Sequence, residues 1–463
     1  MDRYPGRCAA VGAGRWRRAA EPRDDKGKLV KRLRGRSRGA LVAAAAMCVV
    51  AAQPGLPGGT ALAGTARAAD QPTPYAIDPR ATRVEGAETT STAESLQPGV
   101  TYRDSIEPGK RLVYRLDLDD AANAYVSATA APELESRVAY GDELTVRMED
   151  SRGKECDSAQ ARILPPGVYP RPLTASASRT LDGTQDEACQ EAGPYHVIVE
   201  RKSKPTSTQD PWQLELRYLS EPKLTGAGPT EAAENWPTAS PEPPSGAPER
   251  REGGAGFADA VELREGQWTA AIDPGESLFY RVPVDWGQQL FTSADLGGSE
   301  GNGVVSGAMS LAVYNPARGL VDSVGSMSYS GKRKSLSTEP APPVDYANRF
   351  RSIADERATR FAGWYYVRVS LSPEVGEKYG QKPHDLTLRV TVDGEAKDGP
   401  GYAGSAGEFD VPDDSSLGQG PVGAEEDNTT MTLVAAGGIG TGTVLVLGLG
   451  GWVLVARRRE AGR

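Results

Sequence analysis

Histidine is almost absent from this sequence: its 463 residues include only His196 and His384. The sequence also lacks a Gly-x-Ser-x-Gly elbow, a His-Glu-x-x-His pair and a P-loop. A Ser–His–Asp triad could still be assembled on paper. However, both histidines lie in or beside predicted strands, and we interpret them as surface or rim residues. The sequence therefore predicts a non-enzymatic protein, with an enzyme of unknown type as the alternative.

Charged residues are missing from one long stretch near the carboxyl end, residues 433–456. A helix of these 24 residues would be about 36 Å long, against a hydrocarbon core of ~30 Å. Three arginines follow at 457–459, and the positive-inside rule places them in the cytoplasm. We therefore predict a transmembrane helix at 433–456, a basic cytoplasmic tail at 457–463, and an ectodomain outside the cell membrane.

The amino-terminal end has a strong basic bias before a short uncharged run. Residues 1–40 carry thirteen Lys or Arg against four acids, and an apolar stretch follows at 40–52. The Ala-Arg-Ala sequence at 66–68 completes the pattern of a secretory signal peptide with a long basic n-region, residues 1–68. Residues 69–431 hold 35 Lys or Arg and 57 Asp or Glu, a difference of −22. Because this charge repels nucleic acid, no nucleic-acid partner is expected.

Cysteine is scarce as well, with four residues in the chain. Cys8 and Cys48 belong to the predicted signal peptide. Cys156 and Cys189 remain, and an even pair outside the cytoplasm predicts a disulfide. Its loop of about 34 residues would contribute on the order of 4 kcal/mol by chain entropy. The segment 153–193 is Pro-containing and poor in strand pattern, so we expect a loop that the bridge orders.

Composition divides the rest of the chain into folded and unfolded parts. A polar lead at 69–94 comes first. Residues 221–256 are rich in Pro, Gly, Ala and Glu and predict a semi-stiff linker. Residues 394–432 are rich in Gly and acids and predict a disordered stalk. The remaining segments, 95–220 and 257–393, are each long enough for one domain.

The two candidate domains contain the same short patterns in the same order. Residues 106–116 and 272–282 are identical at six of eleven positions, a match that chance would give about once over all registers. Three further pairs are collinear with it: 144–146 with 311–313, 193–199 with 363–369, and 211–217 with 383–389. The spacing from Tyr114 to Tyr195 is 81 residues, and from Tyr280 to Tyr365 it is 85. Together these matches indicate an internal duplication.

The matched segments have the pattern of half-buried strands. Leu112, Tyr114 and Leu116 alternate with polar or smaller residues, and the other segments alternate in the same way. The 54 Gly and 35 Pro residues favour turns. A helical stripe is missing between the two ends of the chain. The fold class we predict is all-β, with two tandem β-sandwich domains.

The order of these pieces resembles the bacterial pre-peptidase C-terminal (PPC-like) domain family. That family has a Gly turn and Tyr-x-φ strand, a Leu-x-Val strand ending in Asp-x-x-Gly, a Gly-x-Tyr-φ-Val-x-Val strand, and a closing φ-x-φ strand. The matching segments are 109–116, 144–153, 193–199 and 214–216, and then 275–284, 311–319, 363–369 and 386–388. The resemblance covers about 260 of the 463 residues and implies jelly-roll-like sandwiches. With its terminal span, the chain also resembles secreted single-pass membrane proteins of high-GC actinobacteria, which implies no activity.

The resemblance raises the question of a bound ion. Some PPC-like domains hold calcium through carboxylates, and Asp117, Asp119 and Asp120 follow the first repeated strand. The second copy has Pro283 in place of Asp117 and Trp286 in place of Asp120. We therefore expect a solvated loop and no cofactor or metal site, with calcium as the alternative.

The aromatic residues of the repeat bear on function in two ways. The positions matching His196 and His384 hold Tyr366 and Trp212, and a catalytic base would rarely alternate with an aromatic residue between copies. Tyr102, Trp268 and Trp286 could form a carbohydrate platform, although such residues more often pack in a core or rim.

Together these features predict a membrane-anchored extracellular protein that binds or scaffolds a partner in the bacterial cell envelope. The partner would be a protein or a cell-envelope glycan. The alternative is an accessory subunit of a secretion or protease system that presents its PPC-like modules to that system.

Overall fold

The computed structural model describes residues 71–181, 187–325 and 327–411. The predicted signal peptide, transmembrane helix and cytoplasmic tail lie outside these residues. Within the described part of the chain, no helix is both long and apolar enough to cross a membrane. This part consists mostly of β-strands with a few short helices, which confirms the all-β fold class.

Nine strands form the first sandwich. They are β1 (Thr82–Arg83), β2 (Thr101–Ile106), β3 (Arg111–Leu118), β4 (Ala122–Ala131), β5 (Glu143–Asp150), β6 (Glu155–Arg162), β7 (Leu173–Arg179), β8 (Gly193–Lys202) and β9 (Trp212–Pro222). One sheet has the order β1-β2-β9-β4-β7 and the other has the order β3-β8-β5-β6. Apolar side chains from both sheets, including Ile106, Tyr114, Val126 and Val197, form one buried core.

Twelve strands form the second sandwich. They are β10 (Glu249–Arg250), β11 (Val261–Glu262), β12 (Gly266–Ile272), β13 (Ser277–Val284), β14 (Gln289–Leu296), β15 (Val305–Ser306), β16 (Met309–Tyr314), β17 (Leu320–Val324), β18 (Ser328–Tyr329), β19 (Lys334–Ser337), β20 (Gly363–Leu371) and β21 (His384–Asp393). The two main sheets have the orders β10-β12-β21-β14-β19 and β11-β13-β20-β16-β17. Two short helices, α1 (Ala354–Arg357) and α2 (Pro373–Tyr379), lie in the connections on either side of β20.

Each of the nine strands of the first sandwich has an equivalent in the second, which adds β11, β15 and β18. In the first, Tyr114 of β3 lies opposite Val197 of β8. In the second, Tyr280 of β13 lies opposite Val367 of β20. These are the residues that the sequence comparison matched, and the strand orders of the sheets correspond in the same way. The repeated patterns therefore fold into equivalent strands, as a duplication requires.

One of the four sequence matches is out of register. Val146 of β5 lies opposite Val199, whereas Leu311 of β16 lies opposite Val369. Since Val199 and Val369 are equivalent, Leu311 corresponds to Val146, and the match of 144–146 with 311–313 is wrong by two residues. Side chains of a strand alternate with a period of two, so a shift of two leaves the same face buried. A Leu-x-Val pattern fits both registers for this reason.

Each repeat begins before the boundary that composition indicates. In the segment expected to be the polar lead, β1 pairs with β2 through Thr82 and Tyr102. Correspondingly, β10 lies in the segment expected to be linker and pairs with β12 through Glu249 and Trp268. These edge strands have two residues each, too few to produce a period-two pattern. The equivalent glycines Gly86 and Gly253 follow them, and a Cβ at either would lie under 3.0 Å from the adjacent Leu side chain.

Residues 394–411 differ from the expected disordered stalk. Leu224 forms a β-bridge with Tyr402, and Phe409 is buried. A backbone bridge at Tyr402 and the buried side chain of Phe409 therefore hold a segment whose Gly- and acid-rich composition indicates disorder. The rest of the predicted stalk lies outside the described residues.

The predicted disulfide between Cys156 and Cys189 is present. Cys156 lies in β6, and Cys189 lies in a short 3₁₀ helix, Glu187–Gln190. The expected loop at 153–193 also contains two strands, β6 and β7. Strand β6 gives no strand pattern in the sequence, because its residues are small or polar and all are exposed or half-buried. The bridge therefore holds an edge strand of the first sandwich.

Candidate functional site

The described residues lie in one compact unit, in which the two sandwiches pack against each other. Two apolar clusters lie at the junction. The first includes Tyr75, Ala131, Phe257, Phe279 and Tyr314. The second includes Tyr125, Leu219, Ala317, Phe361 and Phe409. Each cluster takes residues from both sandwiches, so the linker is not the sole connection between them.

A buried ion pair, Glu215 with Arg318, crosses the junction. Glu215 of β9 is fully buried, and Nη1 of Arg318 donates a hydrogen bond to its Oε1 at 2.5 Å. The backbone N–H of Asp78 donates to the other oxygen at 2.9 Å. Burial lowers the pKa of Arg318, but Glu215, together with Tyr75 and Tyr366, outweighs it and holds the pKa above its ordinary value. The arginine therefore remains charged inside the junction.

The backbone at Arg318 is in the left-handed region, with a φ of 59°. Among the described residues it is the one non-glycine with a positive φ. The equivalent turn of the first sandwich has Gly153 there, with a φ of 81°. Both turns have the same pattern of backbone hydrogen bonds. The N–H of Asp150 donates to the carbonyl of Lys154 in the first turn, and the N–H of Asn315 donates to the carbonyl of Gly319 in the second. A non-glycine residue in this conformation costs roughly 1–2 kcal/mol, and here its side chain reaches Glu215.

A second buried carboxylate, Glu221 of β9, joins three parts of the chain. Nη2 of Arg349, in the second sandwich, donates to Oε1 at 2.9 Å. Asn123 and Tyr125 of the first sandwich donate to Oε2 at 2.6 and 2.7 Å. The hydroxyl of Tyr402 donates to Oε1 at 2.9 Å. Four donors satisfy this carboxylate, which is the condition under which a buried charge can be retained.

Next to these pairs, a cleft with a volume of ≈ 920 Å³ lies between the sandwiches. Strands β6 and β7 contribute to one wall, and β16, β17 and the segment 349–360 contribute to the other. Seven arginines and two aspartates line it. The cleft is therefore basic, although residues 69–431 as a whole are acidic. Its volume is in the range of small-molecule sites.

The arginines of the cleft differ in what they contact. Arg162 pairs with Glu143, and Arg351 pairs with Glu356 at 3.2 Å. Among the described residues, four of these arginines form no ion pair with a carboxylate: Arg171, Arg357, Arg360 and Arg368. Arg357 and Arg360 belong to one segment of the second sandwich. Arg171 and Arg368 come from different sandwiches and donate hydrogen bonds to backbone carbonyls, so they are the candidates for a ligand that contacts both.

Both histidines lie in strands, but each is buried and neither is the surface or rim residue that we expected. His196 of β8 is 9% exposed and His384 of β21 is 2% exposed. Burial lowers the pKa of each. Nδ1 of His384 lies 2.8 Å from Oγ of Ser299, and Nε2 lies 3.3 Å from the carbonyl of Gly380. A carbonyl thus stands where a triad would have a carboxylate.

The candidate calcium ligands have other partners. Asp117 accepts hydrogen bonds from Ser95 and Arg115. Asp119 accepts two backbone N–H groups, from Ala121 and Ala122. In the parts of the chain that the structure describes, no group of three or more His, Cys, Asp or Glu residues could hold a metal ion. The absence of a cofactor remains an expectation.

The three aromatic residues considered as a carbohydrate platform do not form one. Tyr102 and Trp286 are buried. Trp268 is half-buried, and its Nε1 donates to the carbonyl of Arg264 at 3.0 Å. Core and rim packing accounts for all three.

No protein-family model matches this chain, and no curated protein matches it. Among solved structures it is similar to the CUB1-EGF-CUB2 domain of human MASP-1/3, at 5% identity, covering 63% of this chain and 99% of that chain, with a TM-score of 0.16. It is also similar to the tandem CBM22 domain of Paenibacillus barcinonensis Xyn10C, at 10% identity and coverages of 63% and 93%, with a TM-score of 0.18. A third similar structure is that of the tandem CBM51 modules of Streptococcus pneumoniae Sp3GH98, at 9% identity, covering 64% of this chain and 84% of that chain, with a TM-score of 0.18. At these TM-scores, none of the likenesses carries an argument about this chain.

Proposed function

We propose that this protein is a non-enzymatic, membrane-anchored binding or scaffolding protein of the bacterial cell envelope, in which two PPC-like sandwiches act as one rigid unit. The junction is the observation that carries the proposal. Two buried carboxylates of β9, Glu215 and Glu221, each receive an arginine from the second sandwich. Two modules that moved independently would expose these charges and the apolar clusters around them.

A fixed junction is useful to a binding protein. Binding costs less when the contacting groups are already held in place. Here the two sandwiches would present one composite surface, with the basic cleft between them. The partner we propose is a protein or a cell-envelope glycan that contacts both sandwiches.

The proposed location is the outer face of the cell membrane, with a single span and a short cytoplasmic tail. The sequence of the two chain ends supports it, as argued above. The disulfide supports it independently, because disulfides persist mainly in oxidising compartments.

The non-enzymatic part of the proposal has separate support. The Ser299–His384 contact lacks a hydrogen-bonded carboxylate among the described residues, and the histidine is buried. The cleft arginines are also unsuited to act as a general base, since arginine stays protonated in proteins.

Capture from the cell envelope tests the proposal. The full-length protein, tagged at its cytoplasmic end, would be extracted from membranes and applied to purified peptidoglycan and envelope glycans. Retention on the glycan supports binding, whereas one co-purified membrane complex supports the accessory-subunit alternative. Arg349→Met leaves Glu221 buried without its cation, so it should disrupt the junction and weaken retention. The matched control is Arg250→Met, which breaks a mostly exposed pair with Glu252 and should leave retention unchanged.

Fractionation tests the anchoring. We expect the protein in the membrane fraction, with an amino terminus near Ala69. An intact Met1 end, or a fully soluble product, would contradict the proposed topology.

A further inference from the structure

Arg171 and Arg368 both donate hydrogen bonds to backbone carbonyls of one short segment, residues 167–172, to which Arg171 itself belongs. Nη1 of Arg171 donates to the carbonyl of Gly167 at 2.6 Å and more weakly to that of Tyr169. Nη1 of Arg368, on β20 of the second sandwich, donates to the carbonyl of Pro172 at 2.5 Å. Both side chains line the cleft. Two guanidinium groups from different sandwiches are thus held near one another.

The segment that they contact is itself fixed. The hydroxyl of Tyr169 lies within hydrogen-bond distance of Oγ of Ser310 and of the carbonyl of Ser370, at 3.2 Å in both cases. Both serines belong to the second sandwich. The positions of the guanidinium groups therefore depend on the packed junction and not on a free loop.

The charge of Arg368 is poorly compensated. Its residue is 6% exposed, and its buried Nε has no hydrogen-bond partner in the described structure. A buried charge without a partner is costly. Burial also lowers the pKa of Arg171, and the neighbouring charge of Arg368 acts in the same direction.

A buried arginine can be satisfied without an anion, and Arg201 of this protein is an example. Its guanidinium donates to the carbonyls of Ile106, Asp210 and Thr208 and to Oγ of Ser203. Neither Arg171 nor Arg368 has such a set of acceptors among the described residues. Arg171 lies over the ring of Tyr169 and Arg368 over that of Tyr314, but their hydrogen bonds are fewer than those of Arg201. The two cleft arginines therefore keep donor capacity that Arg201 has used.

We propose that the cleft binds an oxyanion, a carboxylate or phosphate group of a small ligand, between Arg171 and Arg368. A guanidinium group presents its N–H donors in a planar fork that matches two oxygens of either anion. The anion would neutralise the adjacent positive charges and accept hydrogen bonds from the guanidinium N–H groups that donate to no described acceptor. The ligand would contact both sandwiches, since each supplies one arginine.

This inference deepens the proposed function by naming the ligand chemistry. It depends on that proposal only for the cellular location at which the protein binds the ligand. Its test is therefore a binding experiment in solution. If the protein binds anions but fails the fractionation test, the proposed function fails and the site stands. If the protein is anchored but binds no anion, the anion site fails and the proposed function stands.

Calorimetric titration of the full-length protein in non-ionic detergent measures the site directly. The probes are inorganic phosphate, glucuronate and, as the neutral control, glucose. We expect saturable binding of phosphate or glucuronate and none of glucose. The anion that binds more tightly identifies the source of the oxyanion.

Substitutions separate a built site from general attraction to a basic cleft. Arg171→Gln and Arg368→Gln should each weaken anion binding at least tenfold. Arg162→Gln is the matched control, because it removes one positive charge from the same cleft wall while Lys202 still pairs with Glu143 at 2.8 Å. We expect less than a twofold change for this variant.

Two results would overturn the proposal. One is the lack of saturable binding of either anion by the wild-type protein. The other is an equal loss of affinity in Arg162→Gln, since that indicates a diffuse field. If Arg368→Gln does not fold, Arg171→Gln decides, because that side chain is only partly buried. An affinity unchanged by Arg171→Gln would then contradict the proposal.

Discussion

The two sandwiches share strand order and register, but β9 of the first and β21 of the second differ at equivalent positions. Glu215 and Glu221 of β9 are fully buried. By the pairing of their neighbours, the equivalents in β21 are Thr387, which is half-buried, and Asp393, which is exposed. The second sandwich therefore covers this face of β9, whereas the equivalent face of β21 remains partly exposed. The duplicated fold kept its core and changed the surfaces that now face each other.

The turn at Arg318 teaches the same lesson from the other side of the junction. Its equivalent, Gly153, is exposed and adopts a positive φ without strain. Arg318 retains the turn conformation and adds a side chain that pairs with Glu215. The difference between the copies thus lies in a contact between them, and substitutions at this junction can test it.

The largest effect is expected for Arg349→Met. This variant leaves Glu221 buried with three neutral donors and no cation, and breaking a buried pair costs about 3–5 kcal/mol. The free energy of unfolding should fall by that amount in denaturant titrations of the full-length protein. Arg250→Met is the control, because its pair with Glu252 is mostly exposed and should contribute about 0–1 kcal/mol. A loss below 1 kcal/mol for Arg349→Met would show that the junction does not depend on this pair.

Arg318 allows charge and backbone conformation to be separated. Arg318→Ala should cost about 3 kcal/mol, because Glu215 loses its cation. Arg318→Gly loses the same contact but relieves the left-handed conformation, so it should be about 1 kcal/mol more stable than the alanine variant. Adding Glu215→Gln to Arg318→Gly should restore part of the stability. Equal unfolding free energies for the alanine and glycine variants would contradict the strain at this turn.

Removal of the disulfide is expected to act on the first sandwich. Cys156→Ser with Cys189→Ser should lower the free energy of unfolding by roughly 2–4 kcal/mol. The second sandwich has no cysteine, so hydrogen exchange should increase in β6 more than in β16 or β17. Thiol titration of the native protein provides the check on the premise. Two reactive thiols assigned to these cysteines would show that the bridge does not form.

The smallest effect concerns acid. The folded-state pKa of His196 and His384 is lowered by burial, so between that value and the ordinary value of about 6.5 the unfolded chain binds more protons. Their contribution to stability is therefore complete above about pH 6.5 and is lost as the pH falls through the folded-state pKa. The slope is at most about 1.4 kcal/mol per pH unit for each histidine. His196→Tyr with His384→Gln should flatten melting temperature between pH 6.5 and 5, and an unchanged slope would contradict this assignment.

The sequence was sufficient for the parts of the fold that repeat along the chain. Tyr114 and Tyr280 lie in strands with a period-two pattern, and this signal is local. It could not fix the register of β5 against β16, because a shift of two residues preserves the pattern. It also missed the two-residue edge strands β1 and β10, whose residues are exposed.

The junction could not be predicted in the same way. Glu215 and Arg318 are 103 residues apart, and Glu221 and Arg349 are 128 residues apart. In an alternating strand, Glu215 looks like an outward-facing polar residue, and only a second domain on that face buries it. One local signal was present: Arg318 stands at the position of Gly153 in a turn that favours glycine. The cleft arginines give no pattern in sequence, because three-dimensional packing alone brings Arg171 and Arg368 together.

A distance measurement between the sandwiches tests the central claim most directly. Spin labels would be placed at Lys110→Cys and Lys332→Cys, two exposed positions in different sandwiches, with Cys8 and Cys48 replaced by Ser. Pulsed dipolar spectroscopy of the full-length protein should give one narrow distance distribution, because the buried Glu215–Arg318 and Glu221–Arg349 pairs hold the sandwiches together. A broad distribution, as a flexible tether at 221–256 would produce, would contradict the rigid unit on which the proposed function depends.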